Sequence, residues 1–390
     1  KSADHIIDIG PYAGSLGGEI NAYGSLSKFL KKETLTSKYL SGNLKILKKR
    51  QNKSNKNYIS LIGARENNLK NINVKFPLDC LTLITGISGS GKTTLVKNIL
   101  YPALQRRFND YSFKPGDFSS LEGNFDELKG VEYIDQNPIG KSSRSNPVTY
   151  IKVYDDIRTL FSSLELSKIR DYKPKHFSFN VDGGRCEKCK GEGSLTIEMQ
   201  FMADVIIECN ECKGTRFKNE ICEIQYNGKS INDLLNMTVD DSIVFFQSNN
   251  YNRIAQKLKP LSDVGLGYIK LGQSSSTLSG GEAQRIKLAS FLSNRSFDKK
   301  VLFIFDEPTT GLHFHDINKL VNSFYHLIEK GHSIIVVEHN LDLIKIADHI
   351  IDLGPGAGEN GGEIIAEGNL EKIIKNKNSF TGKYLLKQLN

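Results

Sequence analysis

Apolar positions in this chain fall into short unbroken runs. Leu81-Thr82-Leu83-Ile84-Thr85, Val301-Leu302-Phe303-Ile304-Phe305 and Ile334-Ile335-Val336-Val337 are rich in β-branched and aromatic residues. Such runs, without polar alternation, predict strands buried on both faces of a parallel sheet. Val131-Glu132-Tyr133-Ile134-Asp135 reads as a further strand, and residues 95–104 have helical character. No run approaches the roughly 20 apolar residues that a membrane helix needs. No secretory signal is evident either, so a cytoplasmic location is expected.

Each apolar run ends in residues with chemistry to offer. The first leads into Gly86-Ile87-Ser88-Gly89-Ser90-Gly91-Lys92-Thr93, which satisfies G-x-x-x-x-G-K-[ST] at every fixed position. Strand, glycine-rich loop and helix, in that order, are what a phosphate cradle requires. Gly86, Ser88, Gly89, Ser90, Gly91, Lys92, Thr93 and Thr94 are therefore predicted to bind ATP and Mg²⁺. Lys92 would reach the β- and γ-phosphates, and the Thr93 hydroxyl would ligate the metal. The second run delivers Asp306 and Glu307 to a strand's C-terminal end, where open α/β sheets place ligands. Asp306 suits an outer contact of Mg²⁺, and Glu307 suits a general base that polarises the attacking water. Solvated strand caps are the plainer reading, and Pro308-Thr309-Thr310-Gly311-Leu312-His313 immediately after them argues against it.

Leu278-Ser279-Gly280-Gly281-Glu282 allows two readings on its own. Its backbone N–H groups and a helix starting there could approach the γ-phosphate of an ATP held by a second subunit or domain. Alternatively, Ser279 and Glu282 form an ordinary capping box. The order of elements decides: P-loop, Gln136, Leu278–Glu282, Asp306-Glu307, then His339 after the third apolar run. In that order the chain resembles an ABC-type ATPase. The resemblance implies that His339 contacts the γ-phosphate and that Gln136 touches Mg²⁺ and the attacking water.

Cys186-x-x-Cys189 and Cys209-x-x-Cys212 are separated by 19 residues. That spacing lies within the window for a structural, four-thiolate zinc site. A pair of redox CxxC motifs is the alternative, although such motifs normally occur singly. Cys80 and Cys222 have no partner in spacing and read as ordinary thiols. The cysteine pairs sit between Gln136 and Leu278, so a separate module is inserted there.

With that insertion the resemblance narrows to the UvrA-like family, the damage-recognition ATPases of bacterial nucleotide excision repair. It is carried by residues 63–71, by 135–141 with 144–147, by 177–181 leading into 183–186, by 264–273, and by 309–313 and 338–342. The family more often has Ser-Thr where this chain has Thr93-Thr94, and either hydroxyl serves Mg²⁺. The implied fold is α/β: an ABC-type P-loop ATPase head with an inserted, largely helical signature domain carrying a four-cysteine zinc module. The implied activity is ATP hydrolysis within an excision nuclease system, with no nuclease activity of the chain's own. Implied partners are lesion-bearing duplex DNA, a preceding ABC module, a second copy of the full protein, and a UvrB-type helicase reached through the other half. A membrane partner is not expected.

Residues 3–26 and 347–370 are near copies, identical at 17 of 24 aligned positions. Repetition of this quality indicates two homologous modules. The expected layout is then 1–42 as the tail of a preceding module, 43–57 as a basic linker, and 58–112 as the first part of the ATPase core. Residues 113–273 follow as the insertion, with its zinc module at 183–216, and 274–390 complete the core.

Composition changes little. A hydrophobic content of 38% over 390 residues supports a sizeable core. The net charge of +8 suits a polyanionic partner without requiring one. Lys141, Arg144, Ser145 and Asn146 offer donors for a phosphate backbone without base-reading geometry, and a solvated face is the competing reading. Two further functional readings stay open: a UvrA-like paralogue in drug or stress tolerance, and a non-transport scaffold whose dimerisation ATP gates.

Overall fold

The computed structural model describes residues 2–11, 14, 17–46, 57–126, 128–140, 144–202, 204–293 and 300–389. Most of the basic 43–57 segment, and Lys141, lie outside them. In chain order the described strands are β1 (Ile6–Gly10), β2 (Glu19–Gly24), β3 (Tyr58–Ala64), β4 (Ile72–Pro77), β5 (Leu81–Gly86), β6 (Ser120–Gly123), β7 (Leu128–Ile134), β8 (Ser194–Ile197) and β9 (Val205–Glu208). Then come β10 (Gln225–Tyr226), β11 (Lys229–Ser230), β12 (Lys300–Asp306), β13 (Ser333–Val337), β14 (His349–Gly354) and β15 (Glu363–Gly368).

The chain divides into two compact units, one of residues 1–9, 20–136 and 294–390, the other of residues 10–19 and 137–293. Motif positions alone suggest boundaries near 113 and 273. Strand pairing keeps β6 and β7 with the first unit, because β6 joins β3 and β7 joins β12.

The first unit is built on a six-stranded sheet of order β15-β14-β5-β13-β12-β7. Five strands run parallel, and β15 returns antiparallel along the edge. β5 and β13 are buried at every position, as their unbroken apolar runs require. One face packs Ile84, Ile304 and Ile335 against Leu95, Ile99 and the smaller β4-β3-β6 sheet. On β12, Phe305 meets Phe324 of helix Phe314–Glu329, with ring centroids 4.7 Å apart. Each fully buried side chain of this size contributes about 1.5–3 kcal/mol.

The helix after the glycine-rich loop is wound as a π-helix over Thr94–Leu100 before becoming α-helical over Tyr101–Arg107. Pro102 has no N–H to offer the carbonyl of Asn98. That carbonyl accepts from the backbone N–H of Gly116 instead, at 2.8 Å.

The two sequence repeats form matching hairpins, β1–β2 and β14–β15. Thr381 donates to Asp352 at 2.9 Å in the second copy, and Thr36 donates to Asp8 at 2.7 Å in the first. Their environments differ. Ile351 and Leu353 are 0% and 1% exposed, whereas the matching Ile7 and Ile9 are 62% and 69% exposed.

The second unit is mainly helical, with helices at Tyr154–Ser163, Val239–Ser248, Asn252–Asp263 and Gly280–Ser293 among others. Its β8–β9 hairpin rises between the two cysteine pairs. No described helix is long and apolar enough to cross a membrane.

Candidate active site

Four adjacent parallel strands, β5, β13, β12 and β7, end on the same side of the sheet. Their C-terminal ends deliver the Gly86–Thr93 loop, Glu338-His339, Asp306-Glu307 and Asp135-Gln136. This is where parallel α/β sheets hold ligands.

Backbone geometry fixes the loop. Gly86 has φ 130°, and a Cβ there would lie 2.0 Å from the carbonyl oxygen of Leu353 on β14. Only glycine fits so close an approach. The loop is also braced from outside. Gly358 N–H donates to Gly89 O at 3.0 Å, and Gly362 N–H donates to Ser90 O at 3.1 Å. Asn68 Nδ2 donates to both Gly89 O and Gly358 O, at 3.0 and 3.1 Å. The turn between β14 and β15, part of the repeated motif, therefore cradles the loop.

Lys92 is buried, and its Nζ donates to the carbonyls of Gly86 and Ile87 at 3.0 and 2.8 Å. Burial lowers its pKa, while the charges of Glu307, Asp352 and Asp306 oppose that shift. Ser88 and Thr93 are exposed, and Thr94 Oγ1 accepts from Asn67 at 3.3 Å. Tyr133 Oη donates to Asp306 Oδ2 at 2.7 Å, which anchors that carboxylate.

Glu307 adopts φ 45°, an uncommon conformation for a residue with a side chain. Its N–H donates to Val337 O at 3.0 Å, and its carbonyl accepts from Gln136 Nε2 at 3.1 Å. His339 Nε2 lies 3.9 Å from Glu307 Oε1. Burial, and then Lys92, hold the His339 pKa below its ordinary value. The His339 imidazole and the Glu307 side chain thus face one another. Thr93, Asp306 and Gln136 supply the oxygen donors that could hold Mg²⁺, whose charge would offset that of phosphates.

In the second unit, Ser279 and Glu282 do form a capping box. Ser279 N–H donates to Glu282 Oε2 at 2.8 Å, and Glu282 N–H donates to Ser279 Oγ at 3.3 Å. Tyr268 Oη also donates to Glu282. Ser279 remains exposed, and Leu278, Gly280 and Gly281 are half-buried.

The Sγ atoms of Cys186, Cys189, Cys209 and Cys212 all lie within 4.8 Å of one another. Two of the separations are 3.9 and 3.6 Å. Tetrahedral Zn²⁺ with bonds of ~2.3 Å needs sulfurs about 3.8 Å apart, so the donor set fits that ion. The four thiols are buried, and Gly193 N–H donates to Cys189 Sγ at 3.2 Å. Left-handed turns at Lys190-Gly191 and Lys213-Gly214 bring each pair round. Backbone N–H groups, led by that of Cys212, draw the Cys209 thiol down to about 7, while burial pushes Cys212 up to about 12. With four protein ligands, zinc would hold the module together and leave no open position.

Of the residues read as phosphate contacts, Arg144, Ser145 and Asn146 are described, and each has a partner within its own unit. Arg144 Nε lies 3.6 Å from Glu192, and Ser145 O accepts from Ser275 N–H at 2.7 Å. Asn146 is 1% exposed and caps the helix Pro147–Tyr150 by accepting from Thr149 N–H at 3.0 Å. Sequence reasoning gave no role to Asn68, Tyr133 or the 356–362 turn, and quoted Glu338 only as part of a motif.

No protein-family model matches the chain. It is 54% identical to UvrABC system protein A of Clostridium perfringens, over 100% of this chain and 41% of that protein. Identity to the same protein of Clostridium acetobutylicum is 52%, again over 100% of this chain and 41% of the relative. For Staphylococcus epidermidis it is 50%, over 99% and 41%. The crystal structure of UvrA2 from Deinococcus radiodurans superposes with a TM-score of 0.91 at 40% identity, covering 99% of this chain and 46% of that one. The chain thus spans about two fifths of the length of the curated relatives it matches. Sequence, ABC-type fold and inserted cysteine cluster agree: over its whole length the chain matches one half of a UvrA protein.

Proposed function

We propose that the chain is the second ABC module of a UvrA-type repair protein. It binds ATP and Mg²⁺, hydrolyses ATP, and couples that cycle to recognition of damaged duplex DNA in nucleotide excision repair. The observation that carries this reading is the convergence of Lys92, Gln136, Asp306-Glu307 and His339 at four adjacent strand ends. Glu307 polarises the attacking water, His339 contacts the γ-phosphate, and Lys92 neutralises developing charge.

Leu278–Glu282 caps an ATP held by the other module, and that module's signature loop completes the site around Lys92. The exposed Ile7 and Ile9 support a preceding module, because their counterparts Ile351 and Leu353 are covered by this module's own sheet. The chain alone is then a weak ATPase.

The zinc-bearing insertion contributes to lesion sensing, in which duplex deformability rather than base sequence is read. The test is binding to intact and lesion-bearing duplexes over a salt series, using the complete protein and its Cys186→Ser variant. Discrimination should fall more than nucleotide affinity. Unaltered discrimination in the variant would remove the zinc module from the account. Failure of the parent protein to prefer lesions would favour the paralogue reading, which shares these motifs.

A further inference from the structure

Glu338 follows β13 and is 3% exposed. A buried carboxylate needs full hydrogen bonding to be tolerated, and this one has it. Oε1 accepts from the backbone N–H of Thr309 at 2.8 Å and from the Thr309 hydroxyl. Oε2 accepts from the backbone N–H groups of His339 and Asn340, at 2.7 and 3.0 Å. Each carboxylate oxygen therefore serves a different loop. One loop descends from Glu307, two residues before Thr309, and the other carries His339 itself.

We propose that Glu338 is a positioning residue that sets the separation of Glu307 and His339 by clamping their two loops with its two oxygens. The proposal rests on the reading that Glu307 and His339 act on ATP. It explains a residue choice: glutamine has nearly the same shape but only one oxygen, so its NH₂ would confront the N–H donors of one loop. The geometry at stake is small. The two reacting-side groups lie 3.9 Å apart, and Glu307 is already held at φ 45°.

The test measures phosphate release and ATP affinity in the complete protein. Glu307→Gln defines the share of turnover that belongs to this module. Glu338→Gln should lower that share by about tenfold or more with ATP affinity kept within about twofold, since a displacement of an ångström can cost that much rate. Thr309→Val, which keeps the backbone donor and removes the hydroxyl, should lower turnover less, and Thr309→Ser should restore it. Should Glu338→Gln fail to fold, the Thr309 pair decides alone. Unchanged turnover in Thr309→Val and Glu338→Gln, with Glu307→Gln inactive, overturns the clamp and leaves the ATPase reading standing. Affinity and turnover falling together, without rescue by serine, also overturns it. Turnover untouched by Glu307→Gln overturns both.

Discussion

Gln136 donates its side-chain amide to the main-chain oxygen of Glu307 at 3.1 Å. The bond joins the ends of neighbouring strands and helps hold Glu307 in its left-handed conformation. Gln136→Ala is expected to lower turnover by about tenfold or more, because the carboxylate loses its orientation. The stability cost should be about 1 kcal/mol or less, the net worth of one exposed hydrogen bond. Phosphate release and urea denaturation, run in parallel, check both halves.

The glycine-rich loop offers a sharper contrast. A Cβ at Gly86 would meet the Leu353 carbonyl at 2.0 Å, while one at Gly358 would meet nothing within 4 Å, although its φ is +58°. Gly86→Ala should therefore cost more than about 3 kcal/mol, and Gly358→Ala only about 1 kcal/mol, the usual cost of a left-handed alanine. Denaturation midpoints of the two variants separate a backbone collision from a conformational preference.

The repeated hairpins can be compared within one molecule. Leu353→Ala removes a buried side chain and should cost about 2–5 kcal/mol. Ile9→Ala, at the matching exposed position, should stay within about 0.5 kcal/mol in this chain. Equal effects in urea denaturation would mean that the first hairpin is already covered.

Stability should also depend on pH. Burial lowers the pKa of His332 and of His339 below the ordinary 6.5. On acidification the unfolded chain therefore takes up these protons first. Their contribution to stability is complete above about pH 6.5, declines as pH falls through the window below it, and levels off under the folded-state values. Urea midpoints from about pH 7.5 to about 5.5 should fall, and His332→Gln should flatten that slope.

The strands that carry this candidate site were legible in the sequence because its parts are local. Unbroken apolar runs marked β5, β12 and β13, and each is followed directly by its chemistry. The bracing was not legible. Asn68 and Gly358, which meet at the glycine-rich loop, are 290 positions apart in sequence. Tyr133 read as a strand residue, and only the pairing of β7 with β12 brings it to Asp306. Asn146 caps a helix through Thr149, three residues on, a local role that the reading as a phosphate contact did not include. The placing of β6 and β7 was hidden for a similar reason, since both follow their strand partners rather than the nearest motif.

The most direct measurement of the central claim is ATP turnover and ATP binding by the complete protein carrying Glu307→Gln. Replacing the carboxylate by an amide removes the proposed base and leaves Lys92, Thr93 and the loop intact. The expected result is loss of this module's share of phosphate release, with ATP bound as tightly as before or more so. Undiminished phosphate release would contradict the claim that these four strand ends form a hydrolytic site.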